Sequence, residues 1–186
     1  GEYAEYFVAP EKNCHVLSPK ISWEEAGLID TLAGPVHGVT SIDVPLQGSV
    51  AVFGPGPAGL FFCRLSKIRG AGQVYLIGTR DNRLAFGKSY GADVILNANR
   101  EDAVGRILKD TGGKGVDVVI EAAGSEEALN DGMKVLRKGG LLQVYGVFGG
   151  GPIPVDIQPI QIHEFLVMGI NGYPNKYPLT MKLIEE

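Results

Sequence analysis

Gly54, Gly56 and Gly59 stand at the end of an apolar run, Val50-Ala51-Val52-Phe53, and a helical pattern begins at Pro57-Ala58. A strand that ends in such a glycine turn hands the chain to a helix whose first N–H groups lack partners and whose dipole is positive at that end. That arrangement holds a pyrophosphate through backbone atoms. Gly54 permits the turn, Gly56 lets the backbone approach the phosphates, and Gly59 lets the helix pack closely on its strand. Pro57 fits the first helical position, where a missing N–H costs nothing, and Ala58 completes that turn.

The end of the next strand says which dinucleotide the turn would hold. A site that prefers NAD places Asp or Glu there to bind the ribose 2′-OH. Here Gly78 occupies the place, 19 residues after Gly59, and is followed by Thr79, Arg80, Asp81, Asn82 and Arg83. Without the carboxylate a 2′-phosphate is no longer repelled. Thr79 can donate a hydroxyl hydrogen bond and Arg80 a charged fork, with Arg83 one helical turn on. Such a bond contributes on the order of 1.5–3 kcal/mol, or roughly 10- to 150-fold in affinity. The pattern favours NADP(H), with NAD(H) as the alternative, and Gly78→Asp is expected to shift preference toward NADH. The plainer alternative is a strand-to-helix turn with a solvated arginine, in which Asp81 caps the helix.

Both motifs require parallel strands alternating with helices. Strand candidates lie at 49–53, 73–78, 93–96, 116–121, 141–146 and 165–170, and helices at 57–69, 81–90, 101–110 and 126–137. Short apolar runs alternating with helices of this length make βαβ units. The fold class is therefore α/β, a doubly wound six-stranded parallel Rossmann sheet. Residues 149–159, with Pro152, Pro154 and Pro159, read as a loop. Upstream, residues 3–18 read as extended, a piece of sheet without enough partners. Ser22 and Glu25 form a capping-box pattern that opens a helix to about Asp30. A second helical stretch runs from Leu32 to Ile42, interrupted by Gly34-Pro35. Both ends look cut, the last one into a helix that starts near Tyr177.

The 186 residues are 45% hydrophobic and 20% charged, with net charge −4, an ordinary soluble balance. No dense Lys/Arg cluster points to nucleic acid. No apolar segment of about 18 residues points to a membrane span. Gly1-Glu2-Tyr3 is not a signal peptide, and Cys14 and Cys63 form no C-x-x-C pair. A cytoplasmic setting with two inert thiols follows as the expectation.

The runs Gly54-Pro55-Gly56-Pro57-Ala58-Gly59-Leu60, Arg83-Leu84-Ala85, Gly91-Ala92-Asp93, Gly115 to Gly124 and Leu136-Arg137-Lys138-Gly139-Gly140 together resemble the medium-chain zinc-dependent alcohol dehydrogenases. Sorbitol and threonine dehydrogenases are nearest in general pattern. Residues 1–6 and Trp23-Glu24-Glu25-Ala26-Gly27-Leu28 look like the close of that family's catalytic domain. The resemblance implies a division at 1–44 (end of a GroES-like catalytic domain plus connecting helices), 45–175 (dinucleotide-binding domain) and 176–186 (start of a returning helix). It implies hydride transfer between an alcohol or polyol and a nicotinamide dinucleotide, with a zinc ion acting as Lewis acid in the full-length parent.

One zinc ligand of that family falls at Asp30, where polyol dehydrogenases read Glu-Pro-Leu and this chain reads Asp30-Thr31-Leu32. Aspartate there, with Gly78-Thr79-Arg80, resembles bacterial NADP-dependent secondary alcohol dehydrogenases, and an oxygen ligand suits zinc. His37, His15 and His163 read as structural, and Gly34-Pro35 departs from side chains that pack the nicotinamide in the family. By resemblance Ala122, Ala123 and Gly124 lie near the cofactor, while Gly146, Val147 and Phe148 offer backbone groups to its carboxamide. Glu121 reads as strand-end structure. The last strand would pair with a twofold partner in a homodimer or homotetramer. Alone, the chain is expected to bind cofactor without catalysis. Competing readings are a stand-alone dinucleotide-binding or redox-sensing module and a methyltransferase-like nucleotide fold, the latter disfavoured by Gly78.

Overall fold

The period-2 alternation of Val50-Ala51-Val52-Phe53 sends Val50 and Val52 to one face of the sheet and Ala51 and Phe53 to the other, and both faces are buried. A strand apolar on both sides belongs in a parallel sheet covered by helices twice over. The computed structural model, which describes residues 4–186, shows that arrangement. Its strands are β1 (Ser49–Phe53), β2 (Gln73–Gly78), β3 (Val94–Asn97), β4 (Val116–Glu121), β5 (Leu136–Val144) and β6 (Leu166–Gly169). All five pairings are parallel, in the order β3-β2-β1-β4-β5-β6. The order reverses between β1 and β4, so a crevice opens beyond their carboxyl ends.

Helices α2 (Ile29–Thr40) and α3 (Pro57–Ile68) cover one face, where Val36, Val39, Phe62 and Cys63 meet Val50, Val52, Val74 and Val118. Helices α5 (Ala103–Asp110) and α6 (Glu126–Val135) cover the other, where Ile107, Leu129 and Met133 meet Ala51, Phe53, Tyr75 and Val119. The chain also forms α1 (Trp23–Ala26), α4 (Asp81–Leu84), α7 (Gln158–Ile162) and α8 (Tyr177–Glu185). The capping box is present at α1: Glu25 N–H donates to Ser22 Oγ and Ser22 N–H donates to Glu25 Oε2.

The structure corrects several expectations. No strand occurs among residues 4–18; one 3-10 turn at Glu11–Asn13 is flanked by exposed Tyr6, Phe7, Val8 and Val16, and Tyr3 lies outside the described residues. The first helix stops at Ala26, and α2 runs unbroken through Gly34-Pro35. The carbonyl that Pro35 leaves without a donor belongs to exposed Thr31. Gly34 gives room to Tyr145, whose ring a side chain there would overlap. The helix expected over 81–90 ends at Leu84, because bonds from Phe86 to Arg83, Gly87 to Leu84 and Gly91 to Lys88 replace the α-helical ladder with turns. Strand β5 begins at Leu136, directly after α6, with a register shift between Val116 and Val118 of β4. It ends at Val144, because Tyr145 and Gly146 both turn their N–H groups onto the Glu121 carbonyl.

Candidate functional site

Gly54 leaves β1 at φ +109°, and its N–H donates to Ile77 C=O at 2.8 Å. A Cβ on Gly54 would lie 2.7 Å from the Ala122 carbonyl carbon and the Ala123 nitrogen. The turn is thus boxed between the end of β2 and the loop after β4. Gly56, in extended backbone, caps α3, and a Cβ there would meet nothing within 4 Å. Gly59 is different: its Cβ would overlap the Gly54 carbonyl oxygen. One glycine of the three faces open space, and two are required by packing. Pro57 is the first residue of α3, and Ala58 follows it.

A cleft of about 320 Å³ lies in front of this turn. Its floor and walls include Gly54, Gly56, Gly78, Thr79, Arg80, Arg83, Ala122 and Ala123. The structure therefore gathers residues from three segments that the sequence separates by up to 69 positions. Pro57, Ala58 and Gly59 follow in the first turn of α3 and do not line the cleft. Val147 and Phe148 do not line the cleft: Val147 is 90% exposed, and Phe148 is half-buried against the core cluster on the α5/α6 face of the sheet. The backbone of Val147 instead abuts Gly124, where a Cβ would lie 2.9 Å from the Val147 carbonyl carbon. Pro55, Ala98, Ser125 and Glu127 also line the cleft and were not singled out above. Ser125 carries a readable signal, since it is the N-cap of α6, accepting from Ala128 N–H at 3.2 Å. A wider groove of about 1040 Å³, lined by residues such as Leu108, Lys114, Pro154 and Phe165, lies at the amino ends of β4, β5 and β6. It is away from the switch point where such sheets bind ligands.

At the end of β2, Asp81 does not take the place of the absent acid, nor does it cap α4; Arg80 holds the cap position. Asp81 accepts from Asn97 Nδ2 at 2.6 Å and pairs with Arg100. Among the described residues Arg80 and Arg83 form no ion pair, and both side chains are exposed at the cleft. Two guanidinium groups in no ion pair favour an anion near Arg80 and Arg83, while Glu127 and Asp131 line the same cleft from α6.

Glu121, the last residue of β4, is fully buried. Its Oε1 accepts from Ala123 N–H at 2.8 Å and Gly124 N–H at 2.7 Å, and its carbonyl accepts from Tyr145 and Gly146 at 2.9 Å each. One residue thus stitches the loop after β4 to the loop after β5. Burial pushes its carboxyl up from the usual range, against the opposing pull of the backbone N–H groups around it. The expectation of a strand-end structural residue matches this geometry.

The zinc-binding dehydrogenase family profile matches residues 57–186, which is more than half of the chain. The chain belongs to the zinc-binding dehydrogenase family. D-xylulose reductase A of Aspergillus oryzae is 34% identical over 189 residues, covering 99% of this chain and 52% of that protein. Sorbitol dehydrogenase of Bacillus subtilis is 30% identical over 184 residues, with coverage of 99% and 52%. The crystal structure of 2R,3R-butanediol dehydrogenase from Bacillus subtilis superposes with TM-score 0.83 at 28% identity, over 91% of this chain and 48% of that one. The chain spans about half the length of the curated relatives it matches.

For a zinc-binding dehydrogenase the donor set is a direct question. Asp30, exposed in the first turn of α2, accepts on Oδ1 from Tyr177 Oη at 2.7 Å and from Tyr173 Oη. These bonds, Tyr173 first, hold its carboxyl below the usual range. His15 meets the Tyr177 ring edge-on at 5.5 Å between centroids. Among the described residues no group of three His, Cys, Asp or Glu side chains could hold a metal. Asp30 therefore stands as a single carboxylate, outside any cluster of three such side chains among the described residues. His37 lies 3.4 Å from Ser41 Oγ on its own helix, and His163 stacks obliquely beside Phe165. Cys63 is buried and its thiol is pushed up to about 12 by that burial, which leaves it inert at neutral pH. No helix among the described residues is long and apolar enough to cross a membrane.

Proposed function

We propose that the chain is the nucleotide-binding half of an oxidoreductase that moves a hydride between an alcohol or polyol and NADP(H). The division at 1–44, 45–175 and 176–186 goes with this reading. One observation carries it: the open glycine turn at the head of α3 shares a cleft with an arginine-lined strand end that lacks an acid. The pyrophosphate lies against Gly56 at the head of α3, where Pro57 contributes no N–H and the free N–H groups after it, with the dipole of a twelve-residue helix, favour an anion. The adenosine 2′-phosphate lies between Thr79, Arg80 and Arg83. Ala122 and Ala123, the second held by Glu121, form the wall against which the nucleotide packs. Asp30 supplies one oxygen ligand to a zinc whose other ligands lie elsewhere in the full-length protein. When bound, such an ion polarises the alcohol oxygen as a Lewis acid. The chain by itself binds the dinucleotide and does not turn over substrate.

Arg80→Ala tests the cofactor assignment. Loss of a charge-assisted hydrogen bond weakens NADPH binding by roughly 10- to 150-fold and leaves NADH binding unaltered. An equal effect on both cofactors, or none on NADPH, contradicts it.

The same reading makes the protein a homodimer or homotetramer. β6 is one of the two sheet edges, bonded on one side to β5, and Leu166 and Val167 are 63% and 48% exposed. An apolar edge strand of this kind pairs with another strand. Sedimentation of the protein gives a dimer or larger species, and Val167→Lys shifts it toward monomer. A monomeric wild type contradicts the pairing.

A further inference from the structure

Gly78 ends β2 beside the glycine turn, and the ring of Pro55 fills the space into which a side chain at position 78 would extend. An ideal Cβ on Gly78 overlaps both Cδ and Cγ of Pro55, with Leu84 Cδ2 at 3.5 Å on the other side. A flexible side chain could swing aside; a pyrrolidine ring closed onto its own backbone cannot. Moving the ring means moving the backbone between Gly54 and Gly56. Gly54 has no slack for that, since its Cβ direction is already closed by Ala122 and Ala123 at 2.7 Å and its N–H is bonded to Ile77 C=O. The simple expectation that Gly78→Asp shifts preference toward NADH is therefore corrected by the structure: the carboxylate has no room.

We infer that Pro55, within the pyrophosphate turn, is a specificity-determining residue that keeps position 78 side-chain-free and so reserves the ribose end of the cleft for a 2′-phosphate. This rests on the NADP reading above and extends it. Thr79, Arg80 and Arg83 supply the attraction; Pro55 supplies the exclusion of any acid that would favour the 2′-OH. Specificity built on both an attractive and an excluding element discriminates more sharply than either alone.

The test is a pair of double-mutant cycles on the protein, read by thermal melting and by fluorescence titration with NADPH and with NADH. In the first, Gly78→Ala adds only the Cβ. It lowers Tm and weakens both cofactors, and Pro55→Ala in the same chain restores Tm toward that of Pro55→Ala alone. In the second, Gly78→Asp alone gains no NADH affinity, whereas Pro55→Ala/Gly78→Asp binds NADH more than about tenfold better than Gly78→Asp does. Additive effects in the alanine cycle, or Gly78→Asp alone binding NADH as well as the double variant, overturn the inference. If Gly78→Asp fails to fold, the alanine cycle decides alone. A wild type that prefers NADH refutes the NADP reading, while the Tm coupling between positions 55 and 78 still reports on the steric exclusion.

Discussion

Gly59→Ala is expected to lower the melting temperature by roughly 6–12 °C and to abolish measurable NADPH binding, an effect of about 3 kcal/mol for overpacking a site that cannot give. The added methyl overlaps the Gly54 carbonyl oxygen and would sit 3.0 Å from its carbon. Gly54 is itself fixed by Ile77 and Ala122. Relief requires α3 to lift from β1, which moves every N–H group at its head. Gly56→Ala is the contrasting variant. Nothing lies within 4 Å of its Cβ position, so Tm holds while the methyl stands where the phosphates approach and NADPH affinity falls. A Gly59→Ala protein with unchanged Tm and affinity would contradict the packing argument.

Glu121→Ala has the second-largest expected effect, a loss of about 4 kcal/mol in unfolding free energy. Two part-buried donors, the N–H groups of Ala123 and Gly124, lose their acceptor at about 1 kcal/mol each, and truncating the fully buried Glu121 side chain leaves a cavity that costs about 2 kcal/mol more. The loop after β4 forms one wall of the cleft, so cofactor affinity falls with stability. Glu121→Gln keeps an acceptor oxygen and separates charge from hydrogen bonding. Burial raises the folded-state value of this carboxyl above its ordinary 4.5. Its contribution is then fully present below 4.5 and is lost as pH rises through the raised value. Glutamine does not titrate. Denaturant unfolding from pH 4.5 upward therefore shows the wild type losing stability relative to Glu121→Gln. A gap independent of pH, or one that moves the other way, means that burial does not dominate at this carboxyl.

Much of the fold and of the cleft is legible in the sequence. The glycine spacing at 54–59, the missing acid at 78 and the alternation within 49–53 are local signals, and local geometry realises them directly. What the chain hides is what depends on distant partners. Pro35 reads as a helix breaker until Thr31 is seen to be exposed and Gly34 to make room for Tyr145. Leu136 reads as the end of a helix, yet it pairs with Val116 across the sheet. Asp30 meets Tyr173 and Tyr177, 143 and 147 residues away, which no spacing rule joins. Pro55 and Gly78 sit in two recognisable motifs, but only their contact shows that each determines the other.

The central claim is that this cleft holds NADP(H) in preference to NAD(H). The most direct measurement is a side-by-side fluorescence titration of the protein with NADPH and NADH at low ionic strength. The account predicts that NADPH binds at least about tenfold more tightly, the discrimination expected of one charge-assisted bond to the 2′-phosphate. NADH binding as tightly as NADPH, or more tightly, would contradict it.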